Sequence, residues 1–250
     1  MSYTIVRTMT FVVIIGFSTA FQIQAADETS TDQAQIIEKI VQAYGGRTAL
    51  EKVKLVKHTG TIKSHRLNKT GTLQRLFARP GKLRVDLSYP DGPQEQRITT
   101  PAGAWRNGQP ATAPMHMAMT LQAARFRLPL ILTEKTVTLL GEADDKLQLS
   151  VSLTPNTSLE VFVDRQSWRI VRSVGRMAFS GMNMAFIADY SDFRKVDGVL
   201  FPFREDLTAM GRPTGIAILE RIEINPETKP DDFVSQQPLS EPSQKKGRSI

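Results

Sequence analysis

The amino-acid sequence predicts an α+β protein that is mainly β: a strongly curved antiparallel sheet, an incomplete β-barrel, with helices covering its concave face. Apolar and polar residues alternate in many short segments, and Gly, Pro, Asn and Asp separate these segments. Such short connections suit antiparallel neighbours, because parallel strands need long crossovers. Two longer stretches instead have apolar residues at helical spacing, and an amphipathic helix must pack its apolar face on another layer.

The clearest strand covers residues 82–89, in which Leu83, Val85 and Leu87 alternate with charged or polar residues. A period of two places one set of side chains on each face, which predicts a half-buried strand. Proline and glycine on both sides provide turn chemistry. Similar patterns predict about ten or eleven strands in all, the others at residues 56–64, 72–77, 95–99, 136–140, 147–153, 159–163, 168–174, 177–190, 199–204 and 216–224.

Helical spacing is found first in residues 33–44, which follow a polar segment, residues 27–32, that we expect to be loose. The glycine pair at 45–46 can end this helix in the left-handed conformation, and a short helical turn is predicted at 48–53. A longer helix is predicted within residues 112–132.

The longer helix has an apolar face that includes Met115, Met119 and Phe126, and Pro129 is expected to kink or end it. Its methionines permit two interpretations. They fill the core like other apolar side chains, or their flexible thioethers line a surface that adapts to varied apolar guests.

The amino-terminal residues 1–25 have the pattern of a secretory signal peptide: Arg7, an apolar run at 9–17 and small residues around Ala25. Residues 26–234 are predicted to form one domain, followed by a disordered tail at 235–250 that is rich in Ser, Gln, Pro and Lys. The chain contains no cysteine, so we expect neither disulfides nor a lipid-modified anchor. Export without disulfides favours the bacterial periplasm.

Composition and motifs argue against several classes of function. The formal charge is +7, but basic residues are dispersed among acidic ones in an exported chain, so nucleic acid is not an expected partner. The three histidines lack the spacing of metal ligands, and neither a nucleophile motif nor a phosphate-binding glycine loop is present. The acidic pairs at 144–145 and 231–232 are predicted to lie in solvated turns. No metal, no cofactor and no catalytic residue is therefore predicted.

Three segments carry a family resemblance: residues 79–85 (RPGKLRV), residues 88–91 (SYPD) and residues 103–105 (GAW). Together they resemble the LolA-like proteins, the outer-membrane lipoprotein-sorting family of periplasmic carriers. The resemblance covers residues 55–110 well and the rest only in layout. It implies a half-barrel whose concave side, covered by helices, holds the acyl chains of a lipoprotein or lipid.

In the family, the arginine of the Arg-Pro motif is implicated in holding the lid closed, and here that position is Arg79; alternatively, Arg79 only caps a turn or forms a surface ion pair. The predicted function is a non-enzymatic, chaperone-like carrier of acyl chains. Its predicted ligand-binding residues, each of which could equally be ordinary core, are Arg79, Leu83, Val85, Leu87, Trp105, Met115, Met119 and Phe126.

Two other functions remain open. A regulator of envelope stress could use the same half-barrel to bind a membrane-anchored protein. A hydrolase or isomerase would need a polar cluster with shifted pKa values deep in the groove, and the sequence indicates none. The expected partners are acyl chains, with a membrane-anchored donor, acceptor or regulator, and the expected state is a monomer.

Overall fold

The computed structural model describes residues 20–235, with side chains from residue 32 onward except at position 230. The chain divides into two compact units, residues 1–36 and 37–250, and helix α1 (Ala20–Ala43) begins in the first and ends in the second. Residues 1–19 of the predicted signal peptide and residues 236–250 of the predicted tail lie outside the described part. Both predictions, and the domain bounds, therefore stay predictions.

The second unit is built on a sheet in which every pair of neighbouring strands is antiparallel. Its described residues form one thirteen-stranded sheet with the order β6-β5-β4-β3-β2-β1-β13-β12-β11-β10-β9-β8-β7. The strands are β1 (Leu55–Ser64), β2 (Lys69–Ala78), β3 (Lys82–Ser88), β4 (Gln94–Thr100), β5 (Gly103–Arg106), β6 (Gln109–Pro110), β7 (Val137–Ala143), β8 (Lys146–Thr154), β9 (Thr157–Asp164), β10 (Ile170–Phe179), β11 (Met182–Val196), β12 (Val199–Ala209) and β13 (Arg212–Ile224).

The chain traverses this sheet in two meanders that meet at its centre. Strands β1 to β6 run from the centre to one edge, and β7 to β13 return from the other edge until β13 pairs with β1. Helices α3 (Ala113–Arg125) and α4 (Ile131–Glu134) connect the two edges. The edge strands β6 and β7 do not pair with each other, so the barrel is incomplete. The predicted fold class is confirmed.

Two-residue hairpin turns join many of the strands. Ser180 and Gly181 have φ values of 50° and 77°, and Met210 and Gly211 have 49° and 75°. Positive φ at both central residues gives a turn whose twist matches that of antiparallel strands. The prediction of one strand over residues 177–190 is therefore wrong, since the turn at Ser180–Gly181 divides it between β10 and β11. The acidic pair at 144–145 forms such a turn, as predicted.

Helix α1 differs from its prediction at the beginning. It starts at Ala20, so the polar segment 27–32 is helical rather than loose. Glu28 there is a good helix former, and polarity alone does not prevent a helix. The end agrees, with Gly45 and Gly46 at φ values of 114° and 84°. The Tyr44 carbonyl then accepts a hydrogen bond from the backbone N–H of Leu200, fixing this end to β12. Helix α2 (Arg47–Lys52) matches the predicted short turn.

Helix α3 covers the concave face of the sheet. Its buried residues are Met119, Leu121, Ala123 and Ala124. Gly175 of β10 lies beneath it: a Cβ atom there would be 3.3 Å from Cδ1 of Leu121. The absence of a side chain at this position lets the helix approach the strand closely. The predicted helix at 112–132 is thus present as α3 and the shorter α4, separated by the segment that contains Pro129.

Candidate functional site: a lined cavity under helix α3

A cavity of about 620 Å³ lies between the concave face of the sheet and helices α2 to α4. Side chains from β1 to β4 form one side of it, and side chains from β10 to β13 form the other. Most of its wall is apolar, with Val56, Phe77, Met177, Phe186, Phe201 and Leu207 among the residues that line it.

Five of the eight predicted ligand-binding residues line this cavity. Two of them, Leu87 and Arg79, lie on or directly after the strands of the first meander. The other three, Met115, Met119 and Phe126, lie on α3 or directly after it. Residues that were predicted from strand alternation and residues that were predicted from helical spacing therefore line the same cavity.

The remaining three predicted residues do not line the cavity. Leu83 and Val85 face the same side as Leu87, but they are 2% and 1% exposed and lie in the core cluster that includes Ala123 of α3. They are packed within this cluster, so they serve as core in this structure.

Trp105 is on the opposite face of the sheet. Arg97 lines the cavity, and the next residue, Ile98, must face the other way because side chains alternate along a strand. Trp105 stands directly opposite Ile98 in the β4–β5 pairing, so it shares that outer face. The register between β5 and β4 decides on which face Trp105 lies, and the sequence does not show that register.

A buried ion pair crosses the concave face. Nη1 of Arg75 on β2 lies 2.7 Å from Oε1 of Glu205 on β12, and the two side chains are 4% and 12% exposed. Two strands separate β2 from β12, so in a flat sheet their backbones would be roughly 14 Å apart at the usual strand spacing. The contact therefore depends on the curvature of the sheet.

His58 lies directly opposite Arg75 in the β1–β2 pairing and is 6% exposed. Its ring centroid is 5.3 Å from that of Phe126 and 6.1 Å from that of Phe201. Both ring nitrogens are buried and have no hydrogen-bond partner among the side chains and backbone that the structure describes. Burial, with a smaller contribution from the charge of Arg75, lowers the pKa of His58 to about 3, so the ring is neutral near neutral pH.

Arg125 of α3 and Tyr190 of β11 complete a polar cluster, which we define as His58, Arg75, Arg125, Tyr190 and Glu205; all five line the cavity. Burial raises the pKa of the Tyr190 hydroxyl, which lies 2.7 Å from the hydroxyl of Ser173. Burial alone would raise the pKa of Glu205, but the charge of Arg75 and its hydrogen bond outweigh burial and hold that pKa below its ordinary value. The Arg75–Glu205 pair is thus ionised.

A second ionic group lies where α4 meets the sheet. Nη2 of Arg79 is 3.2 Å from Oε1 of Glu134, and Arg127 donates to the other oxygen of the same carboxylate. Glu134 is the last residue of α4. The arginine of the Arg-Pro motif is therefore ion-paired to the helical segment that covers the cavity.

Sequence reasoning missed the polar cluster. Its members come from β1, β2, β11, β12 and α3, and Arg75 and Glu205 are 130 positions apart. Charged residues on a strand are ordinarily assigned to its solvent-facing side. Alternation offered a signal for the two charged partners. Arg75 shares the alternation of Leu73 and Phe77 and so falls on the apolar face of its strand. Glu205 likewise shares the alternation of Phe203 on β12.

Neither a metal site nor a membrane-spanning helix is found in the described part of the chain. No group of three or more His, Cys, Asp or Glu residues there could hold a metal ion. No described helix is both long enough and apolar enough to cross a membrane.

No protein-family profile and no curated protein matches the chain. Solved structures do match. An outer membrane lipoprotein-sorting protein domain from Vibrio parahaemolyticus has 11% identity and a TM-score of 0.43, covering 75% of this chain and 96% of that one. A LolA superfamily protein from Nitrosomonas europaea has 13% identity and a TM-score of 0.47, covering 74% and 96%.

The complex of MucA and MucB from Pseudomonas aeruginosa also matches, with 9% identity and a TM-score of 0.22 over 78% of this chain and 100% of the matched one. At such identities and TM-scores, neither residue roles nor ligands carry over to this chain.

Proposed function

We propose that this protein is a periplasmic carrier that binds the acyl chains of a lipoprotein or lipid in the cavity under α3, without catalysing a reaction. The cavity itself carries the proposal. Its volume of about 620 Å³ and its mainly apolar wall suit an apolar guest, since ligand sites commonly enclose roughly 300–1,000 Å³. Each buried CH₂ group of a guest contributes about 0.8 kcal/mol, so an acyl chain of ordinary length gains useful affinity.

The methionines on the cavity wall support binding of apolar ligands that differ in shape. Met115, Met119, Met177 and Met184 line the cavity from the helix and from two strands. Met115 and Met184 are only half-buried, so they are not packed as ordinary core. Unbranched thioether side chains adapt to irregular apolar shapes. Of the two interpretations of the methionine-rich helix, this position favours the adaptable surface for Met115.

The proposed location rests on the signal-peptide pattern of residues 1–25 and on the absence of cysteine. A carrier at that location must bind its cargo and release it to an acceptor.

The test is gentle purification followed by mass spectrometry of whatever is bound. Ala118→Trp places a large side chain in the cavity, because Ala118 lies on its wall. Ala143→Trp is the matched control, since Ala143 is exposed at the end of β7. We expect co-purified acyl lipid or acylated protein with the wild type and the control, and much less with Ala118→Trp.

An empty wild-type protein, or equal lipid in both variants, would contradict a carrier function. A regulator that binds a membrane-anchored protein predicts another result: a stable protein complex whose yield does not depend on the free volume of the cavity.

A further inference from the structure

The polar cluster contains more positive than negative charge. It has two guanidinium groups, of Arg75 and Arg125, and one carboxylate, of Glu205, which is paired with Arg75. Arg125 donates from Nη2 to the backbone carbonyl of Phe186 at 2.5 Å. Among the described residues, no carboxylate lies within ion-pair distance of Arg125. One positive charge on the cavity wall is therefore left without a counter-charge, an arrangement that a low-dielectric site disfavours.

The same cluster has hydrogen-bonding nitrogens without partners. Nε of Arg75, Nε of Arg125 and both ring nitrogens of His58 are buried and unpaired among the described residues. Each Nε–H is a donor, and a neutral imidazole adds one donor and one acceptor. The unmet need is thus mainly for acceptor oxygens. Buried polar groups ordinarily have partners, so an unpaired set on a cavity wall indicates that a ligand supplies them.

A third arginine adds to the positive character of the cavity. Arg97 of β4 also lines it, and its Nε lies 3.4 Å from Oε1 of Glu95. That Nε is buried and makes no hydrogen bond within the described part of the chain. Arg106 shares that carboxylate, with its own Nε at 3.1 Å from the same oxygen. Two cations on one carboxylate leave a further net positive charge on this side.

Apolar rings border the cluster. Phe126 and Phe201 flank His58, and Phe126 stacks on Phe77 with ring centroids 5.5 Å apart. A ligand whose oxygens reach the cluster must therefore place its remaining atoms against aromatic and aliphatic side chains. That combination describes an amphiphile.

We propose that the cavity binds an amphiphile with an anionic head group, a carboxylate or a phosphate, which Arg125, Arg75 and His58 hold while the aliphatic tail lies on the apolar wall. This inference rests on the proposed carrier function and specifies the class of its ligand. Charge-assisted hydrogen bonds from guanidinium groups to carboxylate or phosphate oxygens are stronger than neutral ones. The head group therefore fixes the orientation of a tail that apolar contacts alone would leave free.

The experiment compares three ligands of equal chain length on the delipidated full chain: hexadecanoate, hexadecyl phosphate and uncharged hexadecanol. We expect at least one anion to bind about tenfold or more tightly than hexadecanol, the ratio expected of one charge-assisted contact. The anion that binds better identifies the head group as carboxylate or phosphate.

The variant Arg125→Met should reduce this preference to about unity while leaving the affinity for hexadecanol nearly unchanged. Arg221→Met is the matched control: it removes the same charge from a side chain that is 72% exposed and does not line the cavity. It should retain the full preference.

A second measurement avoids substitution altogether. Bound hexadecanoate labelled with ¹³C at its carboxyl carbon should stay ionised to a lower pH than the same acid in lipid vesicles, because Arg125 and Arg75 stabilise the carboxylate. Titration at the vesicle pH, or equal affinity for all three ligands, would overturn the inference and leave the carrier function standing. Binding of none of the three ligands would overturn both.

Discussion

Burial separates His58 from the other two histidines of the chain. His65 and His116 are exposed, whereas His58 is 6% exposed on the cavity wall. The charged groups that face it are Arg75 on β2 and Glu205 on β12, and aromatic rings occupy its other sides. A protonated ring would be buried beside a guanidinium group, so the fold keeps this side chain neutral.

This burial predicts a dependence of stability on pH. The pKa of His58 is about 3 in the folded protein and 6.5 in the unfolded chain. Between these values the unfolded state binds more protons, so the free energy of unfolding falls as pH falls below 6.5. The contribution approaches about 1.4 kcal/mol per pH unit. Urea unfolding at pH 7, 6 and 5 should show a shallower loss for His58→Phe than for the wild type.

His65→Phe is the control for this measurement: it makes the same substitution at an exposed side chain and should leave the slope of the wild type unchanged. Equal slopes for His58→Phe and the wild type would show that His58 is not held neutral by burial.

This role of His58 was not predicted from the sequence. The spacing of the histidines argued against a metal site, but spacing does not show which histidine is buried. That depends on the pairing of β1 with β2 and on the aromatic side chain of Phe126 from the segment after α3.

At the scale of elements, an ion pair joins α4 to the end of β2. Glu134 at the end of α4 accepts from both Arg79 and Arg127. The side chains of Arg79 and Glu134 are 25% and 31% exposed, so water screens their interaction. Such a contact is suited to opening, because it fixes the position of the cover without making it permanent.

The variant Arg79→Leu tests this contact. It should reduce the free energy of unfolding by about 1 kcal/mol or less, as expected for a partly exposed pair. Release of a bound fluorescent fatty acid, followed by stopped-flow displacement, should become several-fold faster, since 1.4 kcal/mol corresponds to about tenfold. Unchanged release would remove Arg79 from the proposed site. Arg221→Leu, at an exposed pair elsewhere, should leave release unchanged.

Elements were predicted well where one local pattern decides them. Alternation in β3 and β8 and the helical spacing of α3 depend on neighbouring residues alone. The division of residues 177–190 was missed because the apolar pattern continues across the turn, and Gly181 was the only strong local sign of a break. The beginning of α1 was missed because a polar segment is compatible with both helix and loop.

At the scale of the whole molecule, the Arg75–Glu205 ion pair spans the concave face. It connects β2 of the first meander with β12 of the second. Both side chains lie largely inside the protein, so neither charge can turn to water if its partner is lost. Removing one partner of a buried pair leaves an uncompensated charge, which typically costs about 3–5 kcal/mol.

We therefore expect Arg75→Met to lower the free energy of unfolding by about 3–5 kcal/mol in urea titrations. The double variant with Glu205→Leu should recover much of this loss, because it removes the stranded carboxylate as well. Arg221→Met, at a mostly exposed pair, should cost less than about 1 kcal/mol. If Arg75→Met were no more harmful than Arg221→Met, the pair would not stabilise the curved sheet.

By itself, the sequence determined the class of fold, the position of most strands and helices, and the apolar character of the faces that meet under α3. These follow from contacts between residues near one another in the chain. Only the tertiary structure decided which apolar residues line free space and which are covered, so that Leu87 reaches the cavity while Leu83 does not. It also decided that Arg75 and Glu205, 130 positions apart, meet inside it. Curvature and strand register bring distant residues together, and no local pattern encodes either.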